Sequence, residues 1–501
     1  MNVKRPTNTH AEPIKAPPAA VAASWGELLS GRNLLPAIAL TGGVALHAIN
    51  VHIVTTILPS VVRDIGGLEY YAWNITLFVV ASILGATLTN KLLDVMGPRR
   101  TYLLALAVFV LGSILCATAT GMFWLLCGRS VQGIGGGLLA ALSYALIRIV
   151  FVERLWSRVV ALVSGMWGLA TLLGPAVGGL FAASGEWRLA FWSLLPVALV
   201  QALIVSMQLT GKSPVPDKAS LEPVRIPFLK ISLLMTSVLL VALAGQVKDD
   251  AGKVLCITVG VSVGLLLAWL DRRPGVALLP SGAYTLRSPM GKIFACIGLL
   301  MIASMSEIFI PYFLQLLHGY SPLQAGYMTA VMAGGWSMAS LVSSGRSSRS
   351  TARLIFAGPV LMTLALLALL VLLPGDIVPA YQGAWLCIAL AGVGLGIGLG
   401  WPHLLTGIFK AALPGEENIA SAGITTVQLY AMAIGAALAG LTVNAAGLSD
   451  PGGEEGARTA AYSLFGFFAL APAAAMVLSY RLSHCTDRSG LGDPDQNDPD
   501  S

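Results

Sequence analysis

The chain has 501 residues, of which 56% are hydrophobic and 11% charged, against roughly 25% charged in ordinary soluble domains. No single water-soluble core buries that much apolar surface, so lipid must be the solvent. The formal net charge of +6 is small for this length and is sorted by loop, which argues against a nucleic-acid-binding surface.

From the N-terminus, residues 1–33 are polar and Pro/Ala-rich, with no apolar core behind a basic start, and read as a tail rather than a cleaved signal peptide. Fourteen apolar stretches follow, at about 34–58, 70–90, 101–119, 122–147, 159–183, 189–210, 229–247, 253–270, 289–316, 322–344, 354–374, 379–406, 420–446 and 459–480. Each is near or above the ~20 residues that a helix needs to cross ~30 Å of hydrocarbon. With no water to satisfy the backbone, such runs must be helices, and the alternation of a membrane β-barrel is missing. The expected fold class is therefore all-α and integral to the membrane. Six cysteines stand singly with no CxxC or CxxH pair, so neither a metal site nor a disulfide framework is indicated.

Basic residues orient the set. Taking alternate loops, one side carries Lys4, Arg5, Lys15 and Arg32, then Lys91, Arg99 and Arg100, then Arg148, Arg154 and Arg158, and continues in this way to Arg481 and Arg488. That side holds 24 of the 30 Lys and Arg residues, the other holds only Arg63, Arg188, Lys248, Lys253 and Arg458, and Arg129 lies within a span. The Lys- and Arg-rich side stays in the cytoplasm, which puts both termini inside and predicts a multi-pass protein of the cell (inner) membrane.

The longest internal loops, 211–227 and 271–287, bracket two spans and leave six before and six after. The expected organisation is a six-helix bundle over 34–210, linkers with two additional helices over 211–287, a second six-helix bundle over 288–481, and a disordered acidic, Pro-rich tail at 482–501. The short basic loop at 344–351 sits in the second bundle where "NKLLDVMGPRR" (90–100) sits in the first, a faint internal repeat.

Several motifs in chain order point to one family. In "NKLLDVMGPRR", Asp94, Gly97, Arg99 and Arg100 match a loop signature of the form G-x-L-x-D-x-x-G-R-K/R, with the basic pair one position late, Asn90 in place of the first glycine and Val95 in place of a usual basic residue. "RSVQGIGGG" (129–137) resembles an R-x-x-Q-G-x-G motif of span four. "GMWGLATLLGPAVGG" (165–179) resembles a span-five antiporter motif ending in G-P-x-x-G-G, and "WRLAF" (187–191) is a weaker match to W-R-x-x-F. Together they resemble the major facilitator superfamily, in particular its fourteen-span drug:proton antiporters. The resemblance covers nearly the whole chain. It implies two six-helix bundles with an inserted two-helix hairpin, a conformational latch at Asp94, Gly97, Arg99 and Arg100, and transport by alternating access. Independently of the family, Gly97-Pro98 makes a tight turn, and Gly165, Gly174, Pro175, Gly178 and Gly179 make a small-residue face that permits close helix approach and a bend. Packing alone accounts for that face as well as a mobile hinge does.

Ionisable residues within spans are functional candidates by default. Glu307 and Arg129 lead, with His47 and His52, as candidates for proton coupling: a carboxyl away from water can carry a proton facing one side and release it facing the other. A structural pairing of Glu307 with Arg129 is the alternative. "NVHIVTTILP" (50–59) resembles the family's D-x-T-x-x-N-x-A-L-P, but Asn50 occupies the aspartate position and cannot carry a proton. Coupling therefore moves to Glu307 or a histidine, or is absent. Candidates to line a central cavity are Asn50, Trp73, Asn74, Gln132, Tyr144, Trp167, Tyr312, Gln315, Trp336, Trp401, His403, Gln428 and Tyr430, although some must simply pack or anchor at the interface.

The expected function is secondary active transport of small organic molecules, proton-coupled and outward, by a monomer that needs no cofactor, metal or nucleic acid and is not an enzyme. No Walker loop suggests ATP hydrolysis. The cargo is expected to be apolar, weakly polar or cationic. Uptake or facilitated diffusion of a specific metabolite, and a transporter-like sensor that moves no solute, are the competing expectations.

Overall fold

Each of the fourteen apolar runs overlaps helix in the computed structural model, which describes residues 25–209, 227–273, 275–344, 348–375 and 379–489. Among the described residues there is no strand. Of the expected tails, 1–24 and 490–501 lie outside the described residues, as do most of the 211–227 linker and the centre of the 344–351 repeat loop, whereas 482–489, expected to be disordered, continue the last helix. The helices are α1 (Gly31–Ile65), α2 (Trp73–Ala117), α3 (Met122–Ala145), α4 (Trp156–Ala183) and α5 (Trp187–Gln208). A hairpin of α6 (Phe228–Ala244) and α7 (Asp250–Asp271) follows. Then come α8 (Pro289–His318), α9 (Pro322–Ser343), α10 (Ser348–Leu372), α11 (Gln382–Ala411), α12 (Glu417–Ala445) and α13 (Gly453–Ser489). Eleven helices among the described residues are long and apolar enough to cross a membrane, and α6 is shorter but apolar.

α2 carries two of the apolar runs because it breaks at Gly97, where φ is +74°. Only glycine adopts that conformation without strain, and Pro98 then restarts the helix with its φ already fixed. Thr101 Oγ1 closes the turn by donating to Leu92 O (2.9 Å) and Gly97 O (2.8 Å).

Between the two arms of α2 runs α3, and glycines bring the backbones together. A Cβ added at Gly133 would stand 2.4 Å from Phe78 O, and one at Gly137 would stand 2.1 Å from Ser82 O, both on the first arm. At Gly135 the neighbour is Phe109 N at 2.4 Å, on the second arm. The second half of the molecule repeats this device. In α11, added Cβ atoms at Gly394 and Gly398 would stand 1.8 Å from Met332 O and 2.3 Å from Trp336 O on α9, and Gly396 would meet Met362 N on α10 at 2.7 Å. With lipid on the outside there is no hydrophobic gain from pairing apolar helices, so close backbone approach and dispersion contacts hold them. The glycines of α3 and α11 thus make the same kind of contact in the two halves.

The ends of α1 and α13 nearest the two chain termini lie at one end of the bundle, here termed proximal. The halves meet at the other, distal end. There Arg63 Nη2 donates to Gln315 Oε1 (3.3 Å), Asn444 Nδ2 donates to Glu69 O (2.8 Å), and Tyr71 stacks on Phe309 with ring centroids 4.8 Å apart. Gly179 abuts Leu323, Gly326 abuts Thr56 and Pro175, and Tyr327 Oη donates to Leu172 O (3.2 Å). α4 exposes apolar residues along its length, among them Val160, Trp167, Leu172 and Leu180, and α9 exposes Met338 and Leu341.

The hairpin packs through Leu234 and Leu267 against Ile83, Leu429 and Tyr430, and Tyr430 Oη lies 3.1 Å from Ser237 Oγ. Asp271, fully buried at the end of α7, accepts from Lys230 Nζ (2.8 Å), Tyr284 Oη (2.9 Å) and the amides of Leu278 and Leu279. A buried carboxylate with that many donors is a satisfied structural anchor. Burial and the adjacent Asp271 carboxylate hold the Tyr284 hydroxyl above its ordinary range.

Two outcomes test this packing. Gly137→Ala should lower the thermal unfolding temperature of the purified protein and reduce its yield, because the methyl would press on the Ser82 carbonyl, which is backbone and cannot swing away. Gly165→Ala, where nothing lies within 4 Å, should leave stability unchanged or raise it by about 0.5–1 kcal/mol through helix propensity. Equal losses from both would remove the packing argument. For the seam, Gly326→Val should wedge Thr56 and Pro175 apart. In a cysteine-free background carrying Ser60→Cys, that change should speed labelling by an impermeant maleimide from the distal side, and an unchanged rate would count against a closed distal seam.

Candidate functional site

The tight α2–α3 packing encloses Arg129, one turn distal to Gly133, with no solvent exposure. Its Nε donates to Asn74 O (3.2 Å), its Nη1 donates to Gln132 Oε1, and its guanidinium lies 4.1 Å from the centre of the Phe78 ring. Gln132 Nε2 donates in turn to Ser113 Oγ (2.8 Å) on the second arm of α2. Among the described residues Nη2 has no hydrogen-bond partner, and no carboxylate forms an ion pair with Arg129.

Phe78 connects this arginine to α1. His47 stacks on the same ring at 5.4 Å, and Trp167 of α4 meets His47 edge-on at 5.9 Å. Arg129, Phe78, His47 and Trp167 thus form one column from the packed interior toward the partly exposed face of α4. Asn50 stands one turn further along α1 on the His47 face, fully buried, and neither polar atom of its amide has a partner among the described residues. His52 faces α4 instead: its Nε2 is 3.5 Å from Thr171 Oγ1, and its Cβ occupies the space that a Cβ at Gly174 would need. Gly174 and Gly178 therefore seat α4 on α1, Gly179 and Pro175 reach across the seam, and Gly165 faces open space.

In the second half, Glu307 lies on a short 3-10 stretch (Met305–Phe309) that interrupts α8. It is half-buried and makes no hydrogen bond or ion pair to any described residue, so the alternative pairing with Arg129 is not formed. Tyr312 packs edge-on to Tyr71 at the seam (5.7 Å), where Gln315 receives Arg63. Trp336 and Trp401 meet at 5.1 Å, T-shaped, and His403 Nδ1 is 3.4 Å from Thr351 Oγ1. Trp73 and Gln428 are half-buried, Tyr144 is exposed, and Tyr430 turns to the hairpin.

Of the expected cavity residues, then, Asn74 and Gln132 serve as ligands of Arg129, while Trp167, Trp336, Trp401 and His403 are partly exposed on the two halves. In the 90–100 turn, Gly97 and Pro98 are buried, and Asp94, Arg99 and Arg100 are exposed at the proximal surface. A depression of about 700 Å³ opens nearby, bordered by Pro36, Pro98, Ile149 and Leu209, away from the seam between the halves.

Sequence reasoning missed Phe78, Ser113 and Tyr71. No pattern in the chain marks Phe78 as the residue between a cation and a histidine, since they come from three helices. The weak "WRLAF" match does acquire a physical role: Trp187 Nε1 and Arg188 Nη1 both donate to Asp64 Oδ2 (3.1 and 2.7 Å), tying α5 to the end of α1.

Comparison with known proteins agrees with this architecture. The chain is 38% identical over 468 residues to a "probable multidrug-efflux transporter" of Mycobacterium tuberculosis, covering 92% of this chain and 97% of that one. Among solved structures it resembles a POT family transporter in complex with 5-aminolevulinic acid (TM-score 0.62, 14% identity, 89% of this chain and 96% of that one). It also resembles a bacterial homolog of the human lysosomal transporter Spinster in an inward-facing, unoccupied conformation (TM-score 0.61, 14% identity, 94% of this chain and 99% of that one). At such identities the two structures speak for the fold alone. Residues 40–436 match the Major Facilitator Superfamily, and with two glycine-seated helical halves meeting along one seam the chain belongs to that superfamily.

Proposed function

We propose that the chain is a secondary transporter that exports small organic molecules across the cell (inner) membrane by alternating access, driven by protons moving the opposite way. In this reading the polypeptide crosses fourteen times as a monomer with both termini in the cytoplasm. Bundles at 34–210 and 288–481 rock about the seam, and α6 and α7 are an insertion. The distal seam supports it: the halves are joined by side chains there. That arrangement fits a state closed to the outside. Breaking the seam and closing the proximal ends, with Asp94, Gly97, Arg99 and Arg100 acting as a clasp, completes the cycle.

The observation that carries proton coupling is Glu307. It is a carboxyl within α8, on the 3-10 interruption next to the Tyr71–Phe309 seam contact, and no cation among the described residues pairs with it. A proton taken up there from outside and released inside couples its flow to the motion of α8. His47, stacked between Phe78 and Trp167, and His52, beside Thr171, are less free to exchange protons with either side. The partly exposed aromatics, with Glu307 as the available carboxylate, suit an apolar, weakly polar or cationic cargo. The efflux name of the mycobacterial relatives points the same way.

Purified protein in proteoliposomes, with an imposed pH gradient and a fluorescent organic cation as cargo, tests this reading. Wild type should show gradient-driven flux. Glu307→Gln should lose the response to the gradient while keeping exchange of labelled for unlabelled cargo, because the neutral amide mimics the protonated form. Gradient-driven flux that survives the change would overturn the assignment of Glu307, and the absence of any flux in wild type would overturn the transport reading.

A further inference from the structure

We propose that the inserted hairpin moves as part of the second half, and that Gln246 at its tip is a latch residue of the distal closure. The inference rests on the alternating-access reading above. Three segments meet at the distal end. Gln246 Nε2 and Asn444 Nδ2 both donate to Glu69 O, at 2.7 and 2.8 Å, and Asn444 Nδ2 also donates to Gly245 O at 3.2 Å. Glu69 lies on the short 3-10 turn (Leu68–Tyr70) between α1 and α2. Gly245 and Gln246 lie between α6 and α7, and Asn444 is in the last turn of α12. One carbonyl of the first half is therefore held by two side-chain amides, one from the second half and one from the hairpin. A carbonyl oxygen has two lone pairs, so both bonds form at once.

The other contacts of the hairpin decide which half it follows. Against the second half they occur along its whole length. At the tip, a Cβ added at Gly245 would stand 3.1 Å from Leu441 Cα of α12, so the two backbones touch. Midway, the hydroxyls of Ser237 on α6 and Tyr430 on α12 are 3.1 Å apart, and a Cβ at Gly264 of α7 would stand 3.2 Å from the same Tyr430 Oη. At the proximal end Asp271 holds Leu278, Leu279 and Tyr284. That segment is itself tied to the second half: Ser281 donates to Glu416 from its amide (3.0 Å) and its hydroxyl (2.5 Å), and a Cβ at Gly423 of α12 would stand 3.1 Å from Leu279. Toward the first half, besides Gln246, Leu234 packs with Ile83, and the Lys91 ammonium is 6.0 Å from the centre of the Phe228 ring. An apolar contact can slide and a long lysine side chain can follow, whereas a backbone seat with hydrogen bonds at both ends resists shear. Opening the distal side then parts Glu69 from Asn444 and Gln246 together and leaves Asn444 bonded to Gly245. A bond made only in the closed state favours that state.

Two measurements on the full-length protein test this. In the cysteine-free background carrying Ser60→Cys, Gln246→Ala should speed labelling by the impermeant maleimide from the distal side roughly two- to tenfold, the shift that loss of one hydrogen bond gives. Lys248→Ala changes an exposed residue of the same tip and should leave the rate as it was. An unchanged rate in Gln246→Ala, or an equal rise in both variants, would remove the latch. Pairs of spin labels at exposed Ser184 in the first half, Ser449 in the second and Lys248 on the hairpin report which parts move together. With Gly326→Val added to part the seam, the Ser184–Ser449 and Ser184–Lys248 distances should lengthen together while Lys248–Ser449 stays fixed. A fixed Ser184–Lys248 distance with a longer Lys248–Ser449 distance would assign the hairpin to the first half and overturn the proposal, leaving the rocking of the halves in place. A Ser184–Ser449 distance that stays fixed while Ser60→Cys labelling rises would sink the rocking itself, and this inference with it.

Discussion

The architecture rests on backbone meeting backbone at the glycines of α3. A helix in lipid gains little from presenting leucines to another helix, so what holds α3 between the arms of α2 is the dispersion contact that opens when side chains are absent. That contact sets the helix spacing below what any Cβ permits, and everything nearby inherits the constraint. Arg129 cannot turn toward water, Gln132 cannot reach beyond Ser113, and Phe78 is clamped at the level where it meets both Arg129 and His47. The polar site is a product of the apolar packing.

The second half uses the same frame for a different chemistry. α11 presses on α9 and α10 through glycines in the register of α3, yet the positions that hold a charge and an amide in the first half hold Leu390 and Val393 in the second. Glu307, an ionisable group of the second half, sits instead where α8 abandons α-helical geometry, beside the seam. The same glycine frame thus appears in both halves, and they part company in where each puts its ionisable group. In the proposed cycle that division is useful. A carboxyl at the seam lies on the moving boundary, whereas the arginine is locked inside one half and keeps its surroundings when the halves rock.

The motif residues divide by the kind of work the fold gives them. Gly97 is required by a positive φ at the break of α2, and Gly174 by the side chain of His52. Trp187 and Arg188 converge on Asp64 and hold α5 against the end of α1. Away from the seam, Asp271 gathers Lys230, Tyr284 and two amides into a buried anchor that joins the hairpin to the segment leading into α8. It is the opposite case to Arg129: a buried charge whose valences are all answered from within the chain.

What the chain settles alone is the coarse architecture. Long apolar runs must be helices where no water is available to the backbone, and glycine spacing marks the faces that approach closely, since both follow from local composition. Proximity across helices is another matter. That Phe78 lies between Arg129 and His47, that Asn74 and Gln132 serve the arginine rather than line a cavity, that Tyr430 turns to the hairpin and that Glu307 pairs with no described cation were all decided by how helices far apart in sequence rotate about their own axes. A run apolar on every side carries almost no periodicity to fix that rotation, so the glycine contacts fix it, and they exist only once the helices have come together.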